Sequence, residues 1–207
     1  MPLSPIQTPL ISPWSLPPNT SWGKAETPLA LHWDHWPLTV ALHPIPNTLA
    51  PLINKNLVVE ALHRWNGMLP HTHSVTPLSL VECVWVRDPA PNSGSLQADV
   101  IIGWDGTPHP NHPYEAGRCR RYANAQGRLT QAVITIVPQA AIDDRLSLHQ
   151  RSQRLLSTLT HEMGHALGLE HHSDPGAIMH PQGWRNRGPN ANDYQQLRRC
   201  LPALKKP

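Results

Sequence analysis

Apolar residues change their spacing several times along this chain, and each change marks an element. Through the first 30 residues they follow no period, and Pro, Ser, Thr and Asn dominate, so this stretch reads as an extended arm or linker. Residues 37–42 read as a first strand. From Leu49 to Trp65 the positions Leu52, Ile53, Leu57, Val58, Ala61, Leu62 and Trp65 recur at helical spacing, and Gly67 and Pro70 end that helix. Residues 78–86 are rich in Val and Leu and alternate, as a strand does. A second such run covers 98–104. After a loop rich in Pro, His and Gly (105–113), residues 118–122 read as a short polar edge strand, 124–127 as a turn, and 129–137 as a strongly apolar strand. Leu148, Leu155, Leu156, Leu159, Met163 and Leu167 then fall on one helical face, and Gly168 can stop that helix because Gly tolerates the left-handed backbone needed there. Residues 172–190 are irregular. A last short helix runs from Ala191 to about Leu201, with Asn190 or Asn192 near its start.

At 207 residues the chain suffices for one domain with a sizeable core, whose folded part begins near Leu31. There is no Phe and there are eight Trp, so Trp supplies most of the aromatic packing. The net charge of +3 is spread along the chain, with Arg118, Arg120 and Arg121 its densest run, and no basic–aromatic pattern points to nucleic acid. Cys83, Cys119 and Cys200 are odd in number and lack C-x-x-C spacing. That excludes a cysteine zinc site and leaves one thiol free, in keeping with a reducing compartment. No run is long and apolar enough to span a membrane, and residues 1–5 have neither the basic nor the apolar segment of a signal peptide.

The chemistry lies on the helix around residue 160. His161-Glu162-Met163-Gly164-His165 places two imidazoles four residues apart, one turn apart on one face, where both can reach one metal ion. Leu159 and Met163 lie about 160 to 200° around the helix from His161, so the helix has a core side and a metal side. In a chain with fourteen His this five-residue pattern is a modest signal. It arises by chance in roughly one shuffled sequence in 40. The continuation through Gly168 to His171 completes H-E-x-x-H-x-x-G-x-x-H and lowers that rate to roughly one in 10,000. Gly168 lets the backbone turn so that His171 returns as third ligand. Three imidazoles with one open position are the donor set of catalytic zinc. Glu162 is placed to act as general base on a water at the metal, which makes hydrolysis of a peptide bond the expected reaction.

The segment from His161 to Pro181, HEMGHALGLEHHSDPGAIMHP, resembles the zinc-binding consensus of the metzincins and, within them, the matrixins. By that resemblance Met179 is the residue of the Met-turn beneath the metal, and Asp193 is the acidic residue that anchors the turn from the start of the last helix. The resemblance implies a zincin-like α+β fold over residues 31–207, with a twisted, mixed, five-stranded sheet, an active-site helix and a small C-terminal subdomain (171–207, after 31–170) ending in a helix. It also implies a protein or peptide substrate lying antiparallel to the edge strand of Arg118, Cys119, Arg120, Arg121 and Tyr122. Trp184 would wall the pocket beyond the cleaved bond, and the site of action would be extracellular.

The sequence departs from the family pattern in four places. His172 follows the third ligand where matrixins place Ser or Thr. No H-x-D segment stands in the 105–113 loop before the edge strand, so one catalytic zinc is expected and a structural zinc or calcium is not; the pairs His71/His73 and His109/His112 read as solvated loops. The family's Tyr after the Met-turn is absent, with Gly183 and Trp184 there instead. The arm 1–30 holds no Cys for a latch on the zinc. We expect a monomeric zinc endopeptidase; the alternative is a zinc-binding interaction domain without activity, against which Glu162 argues.

Overall fold

The computed structural model describes residues 31–47, 49–68, 78–81, 98–104, 116–137, 145–182, 186 and 188–201. The arm 1–30, Trp184, Cys83 and the pairs His71/His73 and His109/His112 lie outside the described residues.

Five strands form one sheet: β1 (Leu38–Leu42), β2 (Leu78–Val81), β3 (Val100–Gly103), β4 (Gly117–Ala123) and β5 (Leu129–Ile136), in the order β2-β1-β3-β5-β4. β1, β2, β3 and β5 pair in parallel, whereas β4 runs antiparallel to β5 and forms one edge. The alternation along β5 shows which face is covered. Ala132, Ile134 and Ile136 are buried, while Thr130 is exposed and Val133 and Thr135 are half-buried. The buried face packs on α2 (Leu148–Ala166), which in turn packs on α1 (Lys55–Asn66).

α1 begins six residues later than the apolar spacing predicts. Asn54 accepts a hydrogen bond from the Leu57 N–H and caps the helix at Lys55. Leu49, Leu52 and Ile53 are buried as the spacing requires, but through turns: the Leu52 and Ile53 N–H groups both bond the Leu49 carbonyl. Pro51, with no N–H to donate, stands inside that turn.

α2 is closed at both ends by local chemistry. Ser147 and Gln150 form a reciprocal capping box at its start. At its end the Gly168 N–H bonds the His165 carbonyl and the Leu169 N–H bonds the Gly164 carbonyl, a Schellman turn in which Gly168 takes φ +103°. Two tryptophans secure the same helix from outside. Trp65, on α1, donates its indole N–H to the Thr160 carbonyl at 2.7 Å, and Trp33 donates to the Ala166 carbonyl at 2.9 Å. Both rings are fully buried, so the aromatic bulk that the sequence assigns to Trp also supplies hydrogen bonds. α3 (Ala191–Cys200) follows a turn-rich stretch and is capped by Asn190. Among the described residues no helix is long and apolar enough to cross a membrane.

Gly168 meets two constraints at once. Its φ favours glycine, and a Cβ there would lie 2.5 Å from the Leu31 carbonyl oxygen. Gly168→Ala is therefore expected to cost about 1–3 kcal/mol. Scanning calorimetry should show a fall in Tm of roughly 2–4 °C for each kcal/mol. An unchanged Tm would show that neither constraint operates.

Candidate metal centre

The end of α2 brings His161 and His165 to one side, with ring centroids 4.9 Å apart. The Schellman turn at Gly168 sends the chain back so that His171 completes the group. Its Nε2 lies 3.2 Å from His161 Nε2 and 3.2 Å from His165 Nε2. These three are the described residues whose donor atoms converge within a metal's reach, all within 4.8 Å of one another.

The opposite ring nitrogens explain the convergence. His161 Nδ1 lies 2.6 Å from the Ile178 carbonyl, and His165 Nδ1 lies 2.8 Å from the Leu169 carbonyl. A carbonyl only accepts, so each Nδ1 carries the proton and each Nε2 presents a lone pair. Two lone pairs then face a third imidazole at hydrogen-bond distance, an arrangement that a cation between them would stabilise. Burial keeps these rings neutral. It pushes the His165 imidazole down to about 3, with the neighbouring His161 adding to the effect. Burial also depresses His161 and, less enclosed, His171. A neutral imidazole is the form that binds a metal.

The Ile178 carbonyl is fixed from below. The buried Asp193 carboxylate accepts N–H bonds from Ile178 (2.9 Å), Met179 (3.0 Å) and Asn190 (2.8 Å). Asn190 returns the favour by accepting from Asp193 N at the start of α3. Asp174 gathers the neighbouring loop, accepting from Gly176 N and from the Asn190 and Asn192 side chains. Asn186 donates to the Pro175 and Ala177 carbonyls. Met179 lies fully buried directly against α2, where a Cβ on Gly164 would come within 2.3 Å of its sulfur and 2.7 Å of the Trp65 ring. Gly164, between the two helical histidines, is what allows this approach.

Glu162 is buried on the side of α2 that faces β4. A Cβ on Gly117 would sit 3.2 Å from Glu162 Oε1 and 3.0 Å from its Cγ, so the first residue of the edge strand leaves room for the carboxyl group.

Residues 32–195 match the matrixin family, Peptidase_M10, over most of the chain. The chain belongs to the matrixin family. Among curated proteins it is similar to the interstitial collagenase of Oryctolagus cuniculus, 27% identical over 164 residues. That match takes in 75% of this chain but 29% of the collagenase, so the chain spans under a third of that relative's length. Among solved structures it is similar to the archaemetzincin of Methanopyrus kandleri, with a TM-score of 0.51 and 14% identity over 78% of this chain and 94% of the other, a likeness of fold.

In this matrixin chain the predicted edge strand is indeed β4, but its residues divide. Gly117, Cys119 and Arg121 share the face turned to α2, and Arg118, Arg120 and Tyr122 the other. Cys119 is a free thiol, pushed up by burial and then by the Glu162 charge, so it stays protonated. Cys200 is also free, its Sγ 3.5 Å from the Gly168 carbonyl. His172 stands outside the three-histidine group: its Nδ1 accepts from Asp174 N at 2.8 Å. The matrixin resemblance pointed to Asp193, but sequence reasoning missed Gly117, Gly164, Asn186 and the carbonyls of Leu169 and Ile178. For Gly164 a signal was present, a residue without a side chain inside a helix.

Two outcomes follow for this centre. Asp193→Ala leaves three N–H groups without their acceptor and is expected to cost at least about 3 kcal/mol. Urea unfolding would record this as a lower midpoint, and an unshifted midpoint would refute the anchoring role. The second concerns pH. Unfolded His165 takes its proton near the ordinary value of about 6.5, whereas folded His165 takes it only near 3. Between these values the unfolded chain holds the extra proton, so metal-free protein loses stability as pH falls through that window. His161 and His171 act with the same sign. The Tm of chelator-treated protein should fall between neutral and acid pH, and less steeply in His165→Gln. Equal slopes for both proteins would contradict the assignment.

Proposed function

We propose that this chain is a zinc-dependent endopeptidase in which His161, His165 and His171 hold one catalytic zinc, Glu162 is the general base, and Met179 is the Met-turn residue. The observation that carries this reading is the convergence of three imidazole Nε2 atoms, two of them, on His161 and His165, with the partner nitrogen already committed to a carbonyl. The donor set is all nitrogen, neutral and three in number, which suits zinc with one position left for chemistry. Zinc bound there would supply Lewis acidity, polarising the scissile carbonyl and lowering the pKa of water.

The chain's own residues do the rest. β4 lies at the edge of the sheet, where an extended peptide would add as a further strand next to Gly117 and so next to Glu162. Glu162 takes a proton from the attacking water as its oxygen bonds to the carbonyl carbon. It then delivers that proton to the departing nitrogen as the C–N bond breaks, leaving a carboxylic acid and an amine, which exchange a further proton to become carboxylate and ammonium. The cleft would run between residues 31–170 and 171–207, with Arg118, Cys119, Arg120, Arg121 and Tyr122 along one wall. A protein or peptide substrate fits both this geometry and the family.

Glu162→Ala is expected to retain about one zinc per chain while cleavage of casein falls by about 10²–10⁴-fold or more. Zinc content by atomic absorption and peptide release measured side by side check it. Retained cleavage would remove Glu162 from the mechanism, and a wild-type chain that binds zinc but cleaves nothing would favour the interaction domain.

A further inference from the structure

Arg121 lies on β4, yet its side chain works on the loop between the second and third histidines. Its side chain is largely buried, 19% exposed, and reaches across from the edge strand. Nη2 donates to Glu170 Oε1 at 2.7 Å, and Nη1 approaches the Leu169 carbonyl at 3.4 Å. Each acceptor belongs to the metal centre. The Leu169 carbonyl is the group that takes the His165 Nδ1 proton, and Glu170 immediately precedes His171. The backbone here is tied at Leu169, whose N–H bonds the Gly164 carbonyl, and again at His172, whose N–H bonds the Met179 carbonyl. Glu170 and His171 span the interval. A planar guanidinium with two donors in a fixed fork can fix such a span, where an ammonium offers a single point of charge.

We propose that Arg121 is a positioning residue for the metal centre, setting the Leu169–His171 span from the edge strand. This rests on the reading of His161, His165 and His171 as zinc donors. Glu170 itself is exposed, so the charges of the pair contribute little to stability. Here the pair acts on the carbonyl that orients one donor ring and on the residue that carries the next. The same contact makes β4 and the histidines one mechanical unit. A peptide added to β4 therefore acts on the loop that carries the third histidine, and a change in that loop acts on the strand the peptide uses.

The test measures zinc affinity of the full chain by competition with a chromophoric chelator, for wild type, Arg121→Met, Arg121→Lys and Glu170→Gln, with the Tm of each metal-free protein alongside. Removing an outer partner of a metal ligand weakens binding by about 10–100-fold. Arg121→Met should fall at the low end of that range, about tenfold. Arg121→Lys should retain part of the affinity by keeping the charge near Glu170, and Glu170→Gln should lose a smaller share than Arg121→Met. Metal-free Tm values close to wild type throughout would separate positioning from general destabilisation. Wild-type zinc affinity in Arg121→Met overturns the proposal. Should that variant fail to fold, wild-type affinity in Glu170→Gln overturns it instead. A wild-type chain that takes no zinc removes the reading on which the proposal rests, a different result from either.

Discussion

Two histidines one helical turn apart share a face of α2, but a shared face does not fix an imidazole ring. The ring turns about χ2 and presents either nitrogen unless the other is held. Everything around this centre serves to hold it. The Ile178 carbonyl grips His161 and the Leu169 carbonyl grips His165. Each carbonyl comes from irregular backbone, where nothing intrinsic to a helix or strand sets its position. The Schellman turn places Leu169, and the Asp193 carboxylate places Ile178 by taking its N–H and that of Met179. Remove the reason for those carbonyls to point inward and the glycine turn, the buried aspartate and the asparagine cap lose their common purpose.

The grouping of the three histidines was legible because their spacing is a property of covalent sequence. His161, His165, Gly168 and His171 lie within one turn-and-return of the backbone, so periodicity alone suffices to bring them together. The supports were not legible for the opposite reason. Hydrogen bonds to backbone carbonyls carry no side-chain signature, and no sequence pattern tells that Ile178 faces His161 from 17 positions away. The edge strand shows a middle case. Alternation assigns residues 118–122 to a strand and divides them between two faces. Whether Arg121 ends in solvent or on Glu170 depends on where the loop after α2 lies, which is tertiary information. The start of α1 failed locally: Leu49, Leu52 and Ile53 are as buried as a helix would have them, but a side chain at Asn54 competed for the backbone and won.

The tryptophans tie the helix to its surroundings at two points. A phenylalanine at position 33 or 65 would fill most of the space but could not reach the Ala166 or Thr160 carbonyl. Those carbonyls bracket the segment that carries both helical histidines. Trp65 also packs against Gly164, so that one ring donates a hydrogen bond to the helix and lies against its thinnest point. Aromatic packing and the close approach of Met179 are thus one arrangement: the helix is narrow where sulfur and indole meet it.

The three histidines, the two carbonyls that orient His161 and His165, and the aspartate and asparagines beneath them all fall between residues 161 and 193. Every loop that must close to assemble this unit is short, and the entropic cost of closing a loop rises with its length. Most of the sheet is built from distant parts of the chain and contributes packing rather than ring-orienting contacts. A centre assembled this locally depends on the rest of the chain only through particular contacts. What it takes from the strands above it is an apolar face for α2, an edge strand beside Glu162 and the reach of Arg121 to the loop after α2.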